Sequence, residues 1–326
     1  MMIDGDKRGA DDISQVEVAQ NMFARRRPIG AVVAAVLLSV GTCLGVVSPA
    51  QATPAGSPAG ANEPSCVLTP EHPRPVVLVH GTWADMGTTW KTLAPALEDD
   101  GYCVYALNYG TGVPGSGQNL LDLVGGDSVV RSAQTLAGFV TRVREHTGAE
   151  QVDLIGHSQG ALVAREYLKN AGGTDLDNPA HNAVNSLISL AGTNQGTSFH
   201  LNQGLGAIAQ ALGIPVIRLF DIAVGPSYVE QMAGSPFLNN LNAGGDTQPG
   251  VNYVAIATRD DMMVTPAENA FLSPSPGDAV RNVWVQDGCA AAHVDHMQVT
   301  SSPRAVWLTL DALDPGYRAT HPAPCP

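Results

Sequence analysis

The stretch from Val152 to Leu168 leaves this chain little choice of fold. A short apolar run, Val152-Asp153-Leu154-Ile155, passes directly into Gly156-His157-Ser158-Gln159-Gly160, and Ala161-Leu162-Val163-Ala164-Arg165-Glu166-Tyr167-Leu168 follows with helical spacing. Strand periodicity gives way to helical periodicity within five residues, so the turn between them must be very tight. A serine at the apex of such a turn sits in a strained backbone conformation. Side chains two residues to either side would run into the strand and the helix, which explains glycine at 156 and 160. The helix begins behind the serine and aims its first backbone N–H groups, and the positive end of its dipole, at any negative charge that develops there. The plainer alternative is a structural strand-to-helix turn with no chemistry.

The rest of the chain repeats the same rhythm. Arg74-Pro75-Val76-Val77-Leu78-Val79-His80-Gly81 reads as a strand buried on both faces, followed by His80-Gly81-Thr82-Trp83 at its C-terminal end. Residues Trp90–Leu97 have helical character, Gly101–Tyr109 a second buried strand, and Ser128–Glu145 a helix with Val130, Leu136, Ala137, Val140 and Val143 on one face. The loop Gly110–Gly117 lacks the Lys-Ser/Thr and the glycine spacing of a phosphate loop. After the helix that follows Ser158, strands are expected over Val184–Thr193, Val251–Thr258 and Arg281–Gln286. This alternation predicts one α/β domain built on a mostly parallel, doubly wound sheet. The stretch 194–250 breaks the rhythm. Its apolar helical pieces, Leu205–Leu212 and Val216–Phe220, with Met232, Phe237 and Leu238, are expected to form an insertion over the site, with ordinary core helices as the alternative.

Open α/β sheets place their sites at the C-terminal ends of the strands. Ser158 stands at one such end, Arg259-Asp260-Asp261-Met262-Met263-Val264-Thr265-Pro266 at another, and the segment Asp287–Met297, with His293 and His296, at the last. The order is serine, then aspartate, then histidine, as in α/β-hydrolases and unlike the orders of the chymotrypsin and subtilisin families. A serine hydroxyl activated by a histidine that a carboxylate orients is the arrangement required for acyl transfer through a covalent intermediate.

Length and composition bound the remaining choices. The 326 residues are 44% hydrophobic, ample for a core, and acidic residues outnumber basic ones 30 to 17, which argues against nucleic-acid binding. Residues 1–52 carry Arg25-Arg26-Arg27, an apolar run from Ile29 to Val47 and a terminal Ala50-Gln51-Ala52. They are expected to be a cleaved export signal, with Met22 as an alternative start. Its alternative is a membrane anchor, disfavoured by the small residues and the Ala-Gln-Ala ending. Residues 53–65 read as a flexible leader and 66–326 as the catalytic domain. Beyond the leader four cysteines remain, Cys66, Cys103, Cys289 and Cys325, expected to form two disulfides in an oxidising compartment. Three pairings are open to them. No Cys-x-x-Cys pair suggests a zinc site.

Together these stretches resemble secreted triacylglycerol lipases and esterases of the α/β-hydrolase superfamily, the class 2 lipases common in actinobacteria, with a remoter likeness to a fungal lipase B. The likeness runs from about Cys66 to Cys325. It rests on Val77–Trp83, Gly101–Gly110, Gly156–Gly160, Thr258–Pro266, and Val285–Cys289 with His296 seven positions on. The resemblance implies a secreted ester hydrolase acting on lipid esters with Ser158, Asp261 and His296 as its triad, and with backbone N–H groups of Thr82 and Gln159 as oxyanion donors. It further implies neighbour pairing of the disulfides. The acyl-transfer mechanism needs no metal or organic cofactor, and a monomer making transient contact with a lipid interface is expected. Asp260 and His293 are the competing acid and base. His80 and His157 are assigned structural roles. A polyester depolymerase or acyltransferase on the same scaffold is the nearest alternative function; a non-catalytic exported binding protein is the remoter one.

Overall fold

The computed structural model describes residues 56–113, 115–199, 206, 209–210 and 213–325, which fall within one compact unit, 52–326. The export signal expected over 1–52, and most of the helix expected over 205–212, lie outside the described residues; Gly206, Ala209 and Gln210 are helical. Six strands, β1 (Val76–Val79), β2 (Val104–Leu107), β3 (Val152–His157), β4 (Val184–Leu190), β5 (Asn252–Ala257) and β6 (Val280–Trp284), form one sheet in the order β2-β1-β3-β4-β5-β6. Every neighbouring pair is parallel, so the sheet expected to be mostly parallel is wholly so.

The apolar runs make these strands because both faces of the sheet are covered. Along β1, Val77 and Val79 join one buried cluster and Val76 and Leu78 the other, the period of two that a strand imposes. The first cluster packs beneath α3 (Val129–Thr147) and α4 (Gln159–Asn170), through Leu136, Val140, Leu162 and Val163. The second packs beneath α2 (Leu93–Asp99) and α8 (Pro303–Leu313). Helix ends follow sequence chemistry. Ser128 caps α3 by accepting a hydrogen bond from Arg131 N, and Gly148, with φ of 73°, ends it in the left-handed conformation. The helix expected over 90–97 begins three residues later, as α2, and a separate short helix, α1 (Met86–Thr89), precedes it; Pro95 falls in the first turn of α2, where no backbone donor is lost.

The order in which successive strands are added to the sheet reverses between β1 and β3, and loops leaving such a parallel pair diverge and open a crevice. The loop beginning at His80 follows β1, and Ser158 follows β3, with Val79 paired to Gly156.

The segment 194–250 does two jobs. Its last helix, α7 (Pro236–Asn242), following α5 (Val216–Val224) and α6 (Ser227–Glu230), sends Leu238 and Leu241 into the core, with Phe237 packed against them. The apolar wall expected of the whole insertion is therefore core at this end, and exposed Ile217 and Leu219 lie on α5. Cys66 is bonded to Cys103 and Cys289 to Cys325, the neighbour pairing that the resemblance implies.

Candidate active site

Ser158 adopts φ of 55° and ψ of −123°, a region that L-residues rarely occupy. The glycines around it behave as the sequence requires. A Cβ on Gly156 would lie 2.6 Å from Ala161 N, and one on Gly160 would lie 2.6 Å from His80 O and strike Val79 O. The turn is thus pressed from both sides, and the serine, 8% exposed, stands at its tip with α4 starting immediately behind.

The two candidate acid–base pairs separate clearly. His296 Nδ1 donates to Asp261 Oδ2 at 2.8 Å, and the side chains are 7% and 1% exposed. Asp261 Oδ1 meanwhile accepts from Met263 N and Val264 N, both at 2.8 Å. With both oxygens occupied, the carboxylate has one orientation. The competitors, His293 and Asp260, face each other at 3.4 Å on the surface, 87% and 43% exposed. Adjacent aspartates therefore serve different pairs, one buried and one solvated. Among the described residues, the hydrogen bond of the His296 ring is the one to Asp261, and the Ser158 hydroxyl is not joined to it.

The histidine loop is held from below. His157 donates from Nε2 to the His296 carbonyl at 2.9 Å, and Thr258 Oγ1 donates to Val294 O, tying the loop to the strand end that carries Asp261. Burial, and then the neighbouring His296, press the His157 pKa down to about 3, so a neutral ring sits beneath the candidate base. His80 is likewise buried, its pKa lowered to about 4, chiefly by desolvation. Its Nδ1 donates to Gly81 O at 2.8 Å and its ring stacks on Tyr109, whose hydroxyl donates to His80 O at 2.5 Å. Both histidines fit the structural roles expected of them.

The loop after β1 lies against the serine. A Cβ on Gly81 would fall 3.1 Å from Ser158 Cβ. Among the described residues, the backbone N–H groups of Thr82 and Gln159 take no intramolecular acceptor, although Gln159 is fully buried. Free donors in so buried a place suit an anionic oxygen. Two groups that support this loop were not anticipated. Gly125, with φ of 71°, packs against it so closely that a Cβ would lie 2.9 Å from Gly81 O and 3.2 Å from Trp83 N. Gln231 hydrogen-bonds to Thr82 and Gln159 together. The Gly125-Gly126 pair is a visible sequence signal for a close approach; a lone glutamine in an irregular segment gives none. Beyond Thr82, Trp83 stacks on Tyr228 at 5.4 Å, and Phe199 and Phe220 stack on the same tyrosine at 4.4 and 5.3 Å.

A family model described as lipase (class 2) matches residues 73–306. Among solved structures, Aspergillus fumigatus lipase B superposes with a TM-score of 0.56 at 22% identity, covering 79% of this chain and 55% of that one. A mature Bacillus licheniformis lipase superposes with a TM-score of 0.49 at 16% identity, covering 80% of this chain and 99% of its own. Among curated proteins, the dihydrolipoyllysine-residue acetyltransferase component of the acetoin cleaving system of Cupriavidus necator is 33% identical over 96 residues, which is 29% of this chain and 23% of that protein. The chain thus spans about a quarter of that relative and about half of lipase B.

Proposed function

The chain belongs to the class 2 lipase family, and from that premise we propose that it is an exported carboxylic ester hydrolase acting on lipid esters. Ser158 is the nucleophile, His296 the base and acid, and Asp261 its orienting partner. The observation that carries this proposal is the buried Asp261–His296 hydrogen bond at the strand ends beside a serine held at positive φ. With Nδ1–H committed to Asp261, the free nitrogen of His296 is Nε2, the atom that takes the Ser158 proton as Oγ attacks the ester carbonyl. Negative charge on the tetrahedral oxygen is met by the N–H groups of Thr82 and Gln159, and a single such donor is worth about 3 kcal/mol of barrier. His296 then protonates the departing alcohol, and water repeats the sequence on the acyl-enzyme, which calls for no cofactor.

Export is supported by the two disulfides, which suit an oxidising compartment, and by the basic-then-apolar character of residues 1–52. Transient contact with a lipid surface is supported by Leu120, Leu121, Ile217 and Leu219, all exposed, on two segments joined by the Leu120 N to Ile222 O hydrogen bond.

The test is hydrolysis of p-nitrophenyl esters of increasing acyl length by the mature chain and by Ser158→Ala. Turnover of long esters by the wild type, with a loss of about 10⁶-fold in kcat in the variant, is the expected result. Activity on short esters alone would remove the lipid substrate and keep the ester hydrolase. No turnover of any ester would overturn the proposal.

A further inference from the structure

Gln231 stands at the end of α6, in the segment that breaks the strand–helix rhythm, yet its side chain reaches the loop after β1. Donor and acceptor chemistry fixes the orientation of every amide in this cluster. Gln159 Nε2 donates to Gly125 O at 2.9 Å, so Gln159 Oε1 faces Thr82 and Gln231. Gln231 places one end within 3.1 Å of Ser227 O and 2.9 Å of Gln159 Oε1, two atoms that only accept, so that end is the NH₂. The same Nε2 lies 2.8 Å from Thr82 Oγ1, which in turn donates to Gln159 Oε1 at 2.7 Å. Gln231 Oε1 accepts from Thr193 Oγ1 at 3.1 Å. The backbone is tied as firmly, with Gln231 O accepting from Thr197 N at 3.0 Å. Gln231, Gln159 and Thr193 are all buried, so no water replaces a lost partner cheaply.

We propose that Gln231 is a positioning residue that sets the separation of the Thr82 and Gln159 oxyanion donors by bonding both side chains at once, coupling the insertion to the chemical step. This rests on the ester-hydrolase proposal above. Thr82 lies in the loop after β1 and Gln159 is the first residue of α4, after β3, and their side chains meet in this cluster. An oxyanion is recognised by donors at fixed positions, and a misplacement of about 1 Å costs about 10²-fold in rate. A ground-state ester needs that spacing far less, so the effect falls on kcat rather than KM.

The experiment uses the mature chain and Gln231→Glu, with kcat and KM for p-nitrophenyl butyrate measured from pH 5 to 8 and normalised to Ser158 titrated by a fluorophosphonate. A carboxylate at 231 turns an acceptor toward Ser227 O and Gln159 Oε1, whereas a protonated carboxyl regains one donor. The expected result is a kcat about 10- to 100-fold below wild type at pH 8, with the deficit shrinking toward pH 5 and KM within about twofold. If Gln231→Glu does not fold, Thr193→Val removes only the hydroxyl that holds Gln231 Oε1 and is expected to lower kcat about threefold at unchanged KM. An active wild type with unaltered kcat in the folded variant, or a loss that is shared by KM and constant with pH, overturns the role of Gln231 alone. A wild type that neither hydrolyses the ester nor takes up the fluorophosphonate overturns the hydrolase proposal and this one with it.

Discussion

Replacing Arg165 with methionine tests how the segment 194–250 is fastened to α4, the helix that follows Ser158. Arg165 lies on α4, and its side chain and that of Asp246 are 1% and 2% exposed. The guanidinium donates to Asp246 Oδ1 at 2.7 Å, Asn242 Oδ1 at 2.8 Å, Asn194 O at 3.0 Å and Asp246 O at 3.3 Å. Asn194 stands at the start of the segment 194–250, and Asn242 and Asp246 near its end, so one buried cation holds both roots. Burial, partly offset by Asp246, pulls the pKa of Arg165 below its ordinary value. Removing one partner of a buried pair costs about 3 to 5 kcal/mol, because the other charge stays desolvated and uncompensated. Asp246 keeps Gln195 Nε2 at 2.5 Å and Ser273 N at 2.6 Å, which puts the cost at the lower end, about 3 kcal/mol. For a domain of this size that is a fall of about 6 to 12 °C in Tm. Thermal and urea unfolding followed by circular dichroism, with disulfides intact, measures it. The double variant Arg165→Met/Asp246→Asn is expected to regain part of the loss, since no unpaired charge remains. A single variant within about 1 kcal/mol of wild type would refute the reasoning.

Two further outcomes follow from named groups. Burial raises the pKa of Glu230 to about 7; Val129 N, which donates to Oε2 at 2.7 Å, and Arg131 pull it down, while Asp127 and Asp221 push it up. The folded state therefore holds the proton more tightly than the unfolded state does. This contribution to stability is full below the ordinary carboxylate range and is lost as pH rises through about 7, and Glu230→Gln should flatten that loss in urea titrations between pH 4 and 8. Replacing Cys289 and Cys325 by serine opens a link between residues 36 apart, which in the chain-entropy account costs about 4 kcal/mol, readable as a lowered urea midpoint.

Local chemistry made much of the fold legible. Apolar runs at Val76–Val79 and Val104–Leu107 are strands because they are covered on both faces, and the glycines at 156 and 160 announced the turn that holds Ser158. The elbow helix begins at Gln159, two residues before its apolar spacing does, because its first residues are chosen by the turn and not by a buried stripe. Strand β6 was expected to run to Gln286 and ends at Trp284. It lies at the sheet edge, is only half-buried, and so carries a weaker pattern. Sequence pattern alone could not weigh Asp261 against Asp260 by burial, since the turn after Thr258 decides which carboxylate faces inward. The bonds of Gln231, and the joining of the two roots of the insertion by Arg165, left no trace in periodicity. Apart from the Gln231–Ser227 bond, they are contacts between residues 29 to 149 apart in sequence, made by side chains whose types are ordinary anywhere on a surface.

The measurement that bears most directly on the account is the site and rate of reaction with a fluorophosphonate, read by intact mass and peptide mapping in the wild type and in His296→Ala. The account predicts one adduct per chain, on the peptide carrying Ser158, formed about 10³-fold or more slowly once His296 is gone. An adduct on another residue, or a rate indifferent to the loss of His296, would contradict it.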